Sequence, residues 1–345
     1  MRSPLRPRPR PVSLALQGGG AHGAFTWGVL DALLERGVEV AAASGASAGA
    51  MNAVVLAHGL LQGSPDAARA ALADFWRAVS ERVTPLWHQA GDPPSLTPAG
   101  RALLTWTRWL SPTQLNPLGL DPLRDVLAAQ IDFERLRASA GPALFVAATE
   151  ADTGRLRLFR RPELTLDMLM ASACLPTVSA PVEIDGRSHW DGGFCANPAL
   201  APLVREVSAD DLVLVTLGPL APQPVPTDAT GIAQRAIDIG FQAPLLREAR
   251  WLAEQQADAL AGAWGWLRTG SDRRLARLRW HLLDADDALA DLPGETRLVP
   301  EWGFLQRLRD AGRARVEAWW PGHGASLGRR SSLDALACFG AARGG

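Results

Sequence analysis

Val12-Ser13-Leu14-Ala15-Leu16-Gln17-Gly18-Gly19-Gly20-Ala21-His22-Gly23 and, one step further on, Ser44-Gly45-Ala46-Ser47-Ala48-Gly49 decide how this chain is read. The first five residues are short, apolar and β-compatible, so they predict a buried strand. A glycine cluster follows at once, then a helical run through Val29, Leu30, Leu33 and Leu34 that stops at Gly37. Val38–Ala43 predicts a second strand, which ends in Gly45-Ala46-Ser47-Ala48-Gly49 ahead of a small-residue helix starting near Met51. This is G-x-S-x-G between a strand and a helix. A serine on so tight a turn needs the small flanks Gly45 and Gly49 where neighbouring chain would collide. The helix N-terminus behind it favours the negative charge of a tetrahedral intermediate.

Working outward, 345 residues suffice for a large core. About 150 residues per domain suggests two domains, although α/β enzymes often run longer as one. A hydrophobic content of 47% and a charged content of 21% describe an ordinary globular chain. The net charge of -1 gives no reason to expect nucleic-acid binding. Arginine supplies every strong base, and 13 Trp accompany an absence of Tyr, a bias read as codon usage. Cys174, Cys195 and Cys338 are too few and too scattered for a disulfide framework or a zinc site, which fits a reducing, cytoplasmic compartment. The basic residues 1–11 read as a disordered tail, because the apolar run after them is shorter than the roughly 7–15 residues of a signal-peptide core. No apolar stretch of about 18 residues suggests a membrane span.

Along the chain, helices are expected over Asn52–Leu61 and from Ser64 through Val79, the latter capped by Ser64 or Asp66. Residues 84–120 are rich in Pro and Trp and look inserted; a cover over a site and an extra helical layer fit equally. Helices at Pro122–Ile131 and Phe133–Arg137 lead to a buried strand, Ala143–Thr149, turned by Thr153-Gly154 into the strand Arg155–Phe159. A helix over Leu164–Ala173 follows. Asp185-Gly186 between two short β runs is the strongest hairpin signal, and Asp191-Gly192-Gly193 comes directly after it. Ala199–Val207 reads as helix and Asp211–Leu217 as a core strand. A Pro-rich linker, Pro219–Thr227, opens a mainly helical remainder (219–324) expected to pack on the same domain, with Leu278–Leu283 as a final or edge strand. Residues 325–345 read as a flexible tail. Strands alternating with helices predict a three-layer α/β/α fold with a mostly parallel central sheet.

Ser47 is the candidate nucleophile. Gly18, Gly19 and Gly20 can present the backbone N–H groups an oxyanion requires. Gly18-x-Gly20-x-x-Gly23 also fits the dinucleotide fingerprint, but Ala43-Ser44 stand where a ribose-binding acid is needed, so no cofactor is expected. The base is open on residue type alone. A Ser-His-Asp triad would draw on His22, His58, His88, His189, His281 or His323, with His189 best placed. Asp191 is the carboxylate alternative, and a plain hairpin turn is the bland reading of its motif.

Taken in order, the glycine loop, G-x-S-x-G one βαβ step later, and Asp191-Gly192-Gly193 resemble the patatin-like phospholipase family. Local context agrees at Ala171-Ser172-Ala173-Cys174-Leu175-Pro176 and at Phe194-Cys195-Ala196-Asn197-Pro198. The resemblance covers roughly Val12–Leu217, making 12–218 the catalytic domain; the C-terminal third matches nothing assignable. His22 departs from the Arg or Lys of many members, which bears on the loop's positive charge and leaves its backbone intact. The resemblance implies a lipid acyl hydrolase in which Ser47 attacks an ester carbonyl and Asp191 takes its proton. Gly19 and Gly20 would hold the oxyanion, with no metal and a lipid or ester as substrate at a peripheral membrane contact. Two rivals stand beside it: an α/β-hydrolase or acyl transferase with a Ser-His-Asp triad, and a non-catalytic lipid- or granule-associated scaffold.

Overall fold

The computed structural model describes residues 11–82, 88–107, 109–261 and 270–340. The strands are β1 (Val12–Leu16), β2 (Val40–Gly45), the two-residue pair β3 (His88–Gln89) and β4 (Ser95–Leu96), β5 (Ala143–Glu150), β6 (Leu156–Arg160), β7 (Val182–Ile184), β8 (Arg187–Asp191), β9 (Asp211–Thr216) and β10 (Arg279–Asp284). Helices α1 (Gly23–Glu35), α2 (Ala48–Leu60) and α3 (Pro65–Arg82) follow the first two strands. Then come α4 (Pro98–Trp106), α5 (Pro112–Leu115), α6 (Pro122–Gln130), α7 (Phe133–Ala138), α8 (Leu166–Ser172) and α9 (Ala201–Arg205). The C-terminal third adds α10 (Ala229–Ala261), α11 (Gly270–Arg277), α12 (Asp286–Leu289), α13 (Trp302–His323) and α14 (Ala335–Phe339).

The main sheet runs β10-β9-β1-β2-β5-β8-β7, with β6 also paired to β5. Five of these strands, β10 through β5, are parallel; β6, β8 and β7 add antiparallel pairs. Alternate residues point to opposite faces, and that period divides the core in two. Leu14, Leu16, Val213 and Val215 face a layer containing α1, α2, α3, α8 and α13. Ala15, Leu212, Leu214 and Trp280 face α9, α10 and α14. The sheet is therefore covered on both sides, as near-continuous apolar parallel strands require. Each wholly buried leucine, such as Leu30 or Leu56, contributes about 1.5–3 kcal/mol by leaving water. The Asp185-Gly186 hairpin forms as read, with φ of 52° and 75° at its two turn residues.

Chain order reverses at β1, whose neighbours are β2 on one side and β9 on the other. The crevice outside the carboxyl ends of strands at such a switch point is where open α/β sheets bind ligands. Both the glycine loop and the Ser47 turn leave from those ends.

Residues 325–345 were expected to be flexible, but through Gly340 they are held against the sheet edge. The N–H groups of Ser332 and Leu333 donate to the Trp280 carbonyl, Gly328 donates to Asp211, and Phe339 is buried. Composition misled because the order comes from β10's free edge, which the segment covers. Residues 341–345, the basic residues 1–10 and Trp87 of the Pro/Trp-rich stretch lie outside the described residues. Among the described residues no helix is long and apolar enough to cross a membrane.

Candidate active site

Ser47 stands where β2 gives way to α2, with φ 52° and ψ -130°. A non-glycine residue in that region costs about 1–3 kcal/mol, so its surroundings must hold it. Its N–H donates to both the backbone carbonyl and the hydroxyl of Ser172, at 3.0 and 3.1 Å. A side chain on Gly49 would run into the Leu16 carbonyl, and one on Gly45 into the Gly49–Ala50 backbone. The two glycines of G-x-S-x-G are thus demanded by close approach.

Register explains how Asp191 arrives. Phe145 of β5 pairs with Ser44 on one edge and Arg160 on the other. Ala148 pairs with Arg157 of β6 and, on the edge β2 has just vacated, with Asp191. β8 therefore takes over the β2 edge of β5 where β2 turns away into the elbow, and its last residue ends beside Ser47. Asp191 is wholly buried. Its Oδ1 accepts the Gly193 N–H at 2.7 Å, whereas Oδ2 makes no hydrogen bond of ordinary geometry. Burial pushes the carboxyl up to about 7, against the opposing pull of the Gly193 N–H and the nearby Ser47 hydroxyl. A carboxylate with an unpaired oxygen and a neutral-range pKa is suited to accept a proton.

The glycine loop lies against the elbow. A Cβ on Gly18 would sit 2.6 Å from the Ala46 carbonyl oxygen and 2.8 Å from Ser47 Cβ. Of the three glycines read as oxyanion donors, Gly18 is excluded: its N–H is taken by Asn197 Oδ1 at 2.7 Å. Gly19 and Gly20 have N–H groups with no acceptor among the described residues. The helices behind both loops begin side by side. Asn52 of α2 donates to the Gly23 carbonyl at 2.9 Å and accepts from Trp76 Nε1 at 3.1 Å, drawing the positive ends of α1 and α2 together.

None of the histidines hydrogen-bonds to Ser47 or Asp191 among the described residues. His189, the best-placed candidate, has Nδ1 on the Arg187 carbonyl at 3.0 Å and its ring against Phe159. His22 Nε2 meets Thr296 Oγ1 at 2.7 Å; burial, aided by Arg297, lowers it to about 3, so it stays neutral. His58 accepts the Asp132 N–H, and His281 bridges Asp211 and Ser332. No group of three or more His, Cys, Asp or Glu among the described residues is arranged to hold a metal ion.

Three contributors escaped sequence reading as functional: Ser172, Asn197, and the pair formed by the Thr296 hydroxyl and the Arg297 carbonyl. The first two lie inside stretches recognised as family-like but carried no chemical signature of their own. Residues Gly294–Leu298 press on the glycine loop, where a Cβ on Gly20 would strike the Arg297 carbonyl, and Arg297 pairs with Asp238 of α10. Nothing local announces a contact made across some 280 residues.

A serine on a strand-to-helix elbow at the carboxyl end of a parallel sheet, beside a glycine loop, is the nucleophile-elbow arrangement seen in lipase-type folds. Within that class the chain belongs to the patatin-like phospholipase family, whose model matches residues 14–204. NTE family proteins of Mycobacterium tuberculosis and Mycobacterium bovis are each 31% identical to it over 207 residues, which is 60% of this chain and 49% of theirs. The chain thus spans about half the length of these curated relatives. Among solved structures, VipD from Legionella pneumophila is 18% identical, with a TM-score of 0.38 over 88% of this chain and 67% of its own. ExoU from Pseudomonas aeruginosa, solved in complex with SpcU, is 17% identical, with a TM-score of 0.29 over 91% and 78%.

Proposed function

We propose that this chain is a serine lipid acyl hydrolase of phospholipase A or lysophospholipase type, working through a Ser47–Asp191 dyad. Ser47 Oγ attacks the ester carbonyl as Asp191 Oδ2 takes the hydroxyl proton, and the carbonyl becomes an oxyanion facing Gly19 and Gly20 N–H. Collapse expels the alcohol, which regains that proton, and leaves an acyl-Ser47. Water attacks next, losing a proton to Asp191. Ser47 recovers a proton as the free fatty acid departs. Each oxyanion donor typically contributes about 2.7–4 kcal/mol.

The observation that carries this reading is the buried Asp191 carboxyl at the elbow, with Oδ2 unpartnered, its pKa near 7 and no histidine bonded to it among the described residues. Two features support a lipid. An open groove of about 840 Å³, lined by Leu156, Phe194, Pro244 and Trp251 together with Arg247, Arg250 and Glu254, offers both apolar and charged partners to an amphipathic molecule. Trp106 and Trp109, in the stretch over 84–120, are 57% and 81% exposed, suiting a cover that meets a lipid surface.

The test is a panel of phospholipids, lysophospholipids, neutral lipids and simple esters, assayed with and without EDTA. Wild type would be run beside Ser47→Ala, Asp191→Asn and His189→Ala, with fluorophosphonate labelling in parallel. Turnover and labelling should vanish in Ser47→Ala at unchanged thermal stability, and both should survive His189→Ala. Loss with EDTA, or labelling abolished by His189→Ala and kept by Asp191→Asn, would overturn it.

A further inference from the structure

We propose that Asn197 is a positioning residue that sets the oxyanion loop against the nucleophile; this rests on the assignment of Gly19 and Gly20 as donors. Asn197 is buried at 2% exposure, and both ends of its amide are used. Oδ1 accepts the Gly18 N–H at 2.7 Å and Nδ2 donates to the Phe241 carbonyl of α10 at 3.1 Å. An N–H on one side and a carbonyl on the other leave a single orientation in which both bonds form. The side chain therefore pins the residue immediately before the two free donors.

The pinned point is the one that matters for geometry. Gly18 is in contact with Ala46 and Ser47, so any displacement of Gly18 changes the spacing between nucleophile and oxyanion donors. Asn197 also lies six residues after Asp191 in the same segment. That segment is fixed to α10 twice, by the Asn197 amide and by the Phe241 ring packed over Gly193, where a Cβ would come within 2.5 Å of it. One stretch of chain thus holds the base at one end and the loop at the other, and α10 braces both. Catalytic geometry tolerates little error: a misplacement of about 1 Å can cost about 100-fold in rate.

Asn197→Ala should lower kcat for a p-nitrophenyl ester by about 10- to 100-fold while KM stays within about twofold. A trifluoromethyl ketone of the same chain length, which adds to Ser47 as an oxyanion, should lose affinity by a similar factor. The matching ether, which forms no oxyanion, should bind as before. Asn197→Asp keeps an oxygen for Gly18 but loses the donor to the Phe241 carbonyl, so it should keep Gly18 exchange slow and regain only part of the lost kcat. An unchanged kcat in Asn197→Ala, or a loss shared equally by KM and ether binding, would overturn the proposal. Should Asn197→Ala fail to fold, Asn197→Asp decides alone: Gly18 exchange as slow as in wild type beside a kcat as low as that of Ser47→Ala refutes the proposal. Amide exchange at Gly18, slow in wild type and fast in Asn197→Ala, reads the bond independently of turnover. A wild type with no esterase activity but a protected Gly18 would therefore indict the hydrolase reading, not the anchor.

Discussion

Replacing Asp191 by Asn should destroy activity and stabilise the fold, in a pH-dependent way whose sign follows from the burial of the carboxyl. In the unfolded chain this group ionises near its ordinary 3.8; in the fold burial holds it protonated up to about 7. Below about pH 4 both states carry the proton and Asp191 contributes nothing to the balance. Between about pH 4 and 7 the unfolded chain has released its proton while the native state keeps it, so unfolding becomes progressively easier. Above about pH 7 the penalty is complete. A rise from 3.8 to about 7, at 1.36 kcal/mol for each tenfold, amounts to about 4 kcal/mol. Asn keeps an oxygen for the Gly193 N–H and never ionises, so the variant lacks this slope. For 345 residues the unfolding entropy is about 0.7 kcal/mol/K, which translates the difference into about 6 °C at pH 8. The assay is calorimetry of both proteins from pH 4 to 8, with wild-type kcat followed over the same range. The two melting temperatures should converge at pH 4 and separate by pH 8, while kcat climbs through about pH 7 as the base ionises. A gap that stays constant with pH would refute the reasoning.

Three further outcomes are expected. Gly49→Ala forces a methyl into the Leu16 carbonyl and should cost about 3 kcal/mol or more, read as loss of soluble folded protein or a lowered urea midpoint. His189→Ala should keep esterase activity within about threefold while losing about 1–3 kcal/mol of stability, because the ring only packs and bonds its own strand. Burial raises the Asp211 carboxyl, but hydrogen bonds from His281, Arg279 and the Gly328 N–H outweigh it and hold the group at about 2. Asp211→Asn should therefore cost about 3–5 kcal/mol at neutral pH and speed amide exchange across residues 327–339, a deficit that fades as pH falls from about 4 toward 2.

What the sequence disclosed follows the range of the interactions involved. The elbow, the Asp185-Gly186 turn and the alternating strands and helices are local patterns with local causes, and each forms close to where it was read. Asp191 was legible as a motif, yet its pairing with Ser47 depends on β8 occupying the edge that β2 leaves, which is a property of the sheet. Gly18 was assigned as a donor because three adjacent glycines look equivalent; an asparagine 179 residues away makes them unequal. His22 looked like a lost positive charge, and its actual partners, Thr296 and Phe304, lie in the third of the chain that resembled nothing. The tail was misread for the converse reason, since its glycines, serines and arginines owe their order to the exposed edge of β10 and to Asp211.

The press of Gly294–Leu298 on the glycine loop makes the loop depend on chain that is synthesised after it. On a ribosome, Ser47, Asp191 and the strands β1, β2, β5 and β8 that carry them emerge ahead of α10 and Arg297. The brace from α10 at Phe241 emerges about fifty residues after Asp191, and the backbone of Arg297 about a hundred after it. A nascent or prematurely truncated chain ending near residue 220 would hold nucleophile and base with an unsupported loop. Such a fragment should react with a fluorophosphonate more slowly than a chain that includes α10 and Gly294–Leu298, because its loop lacks both supports.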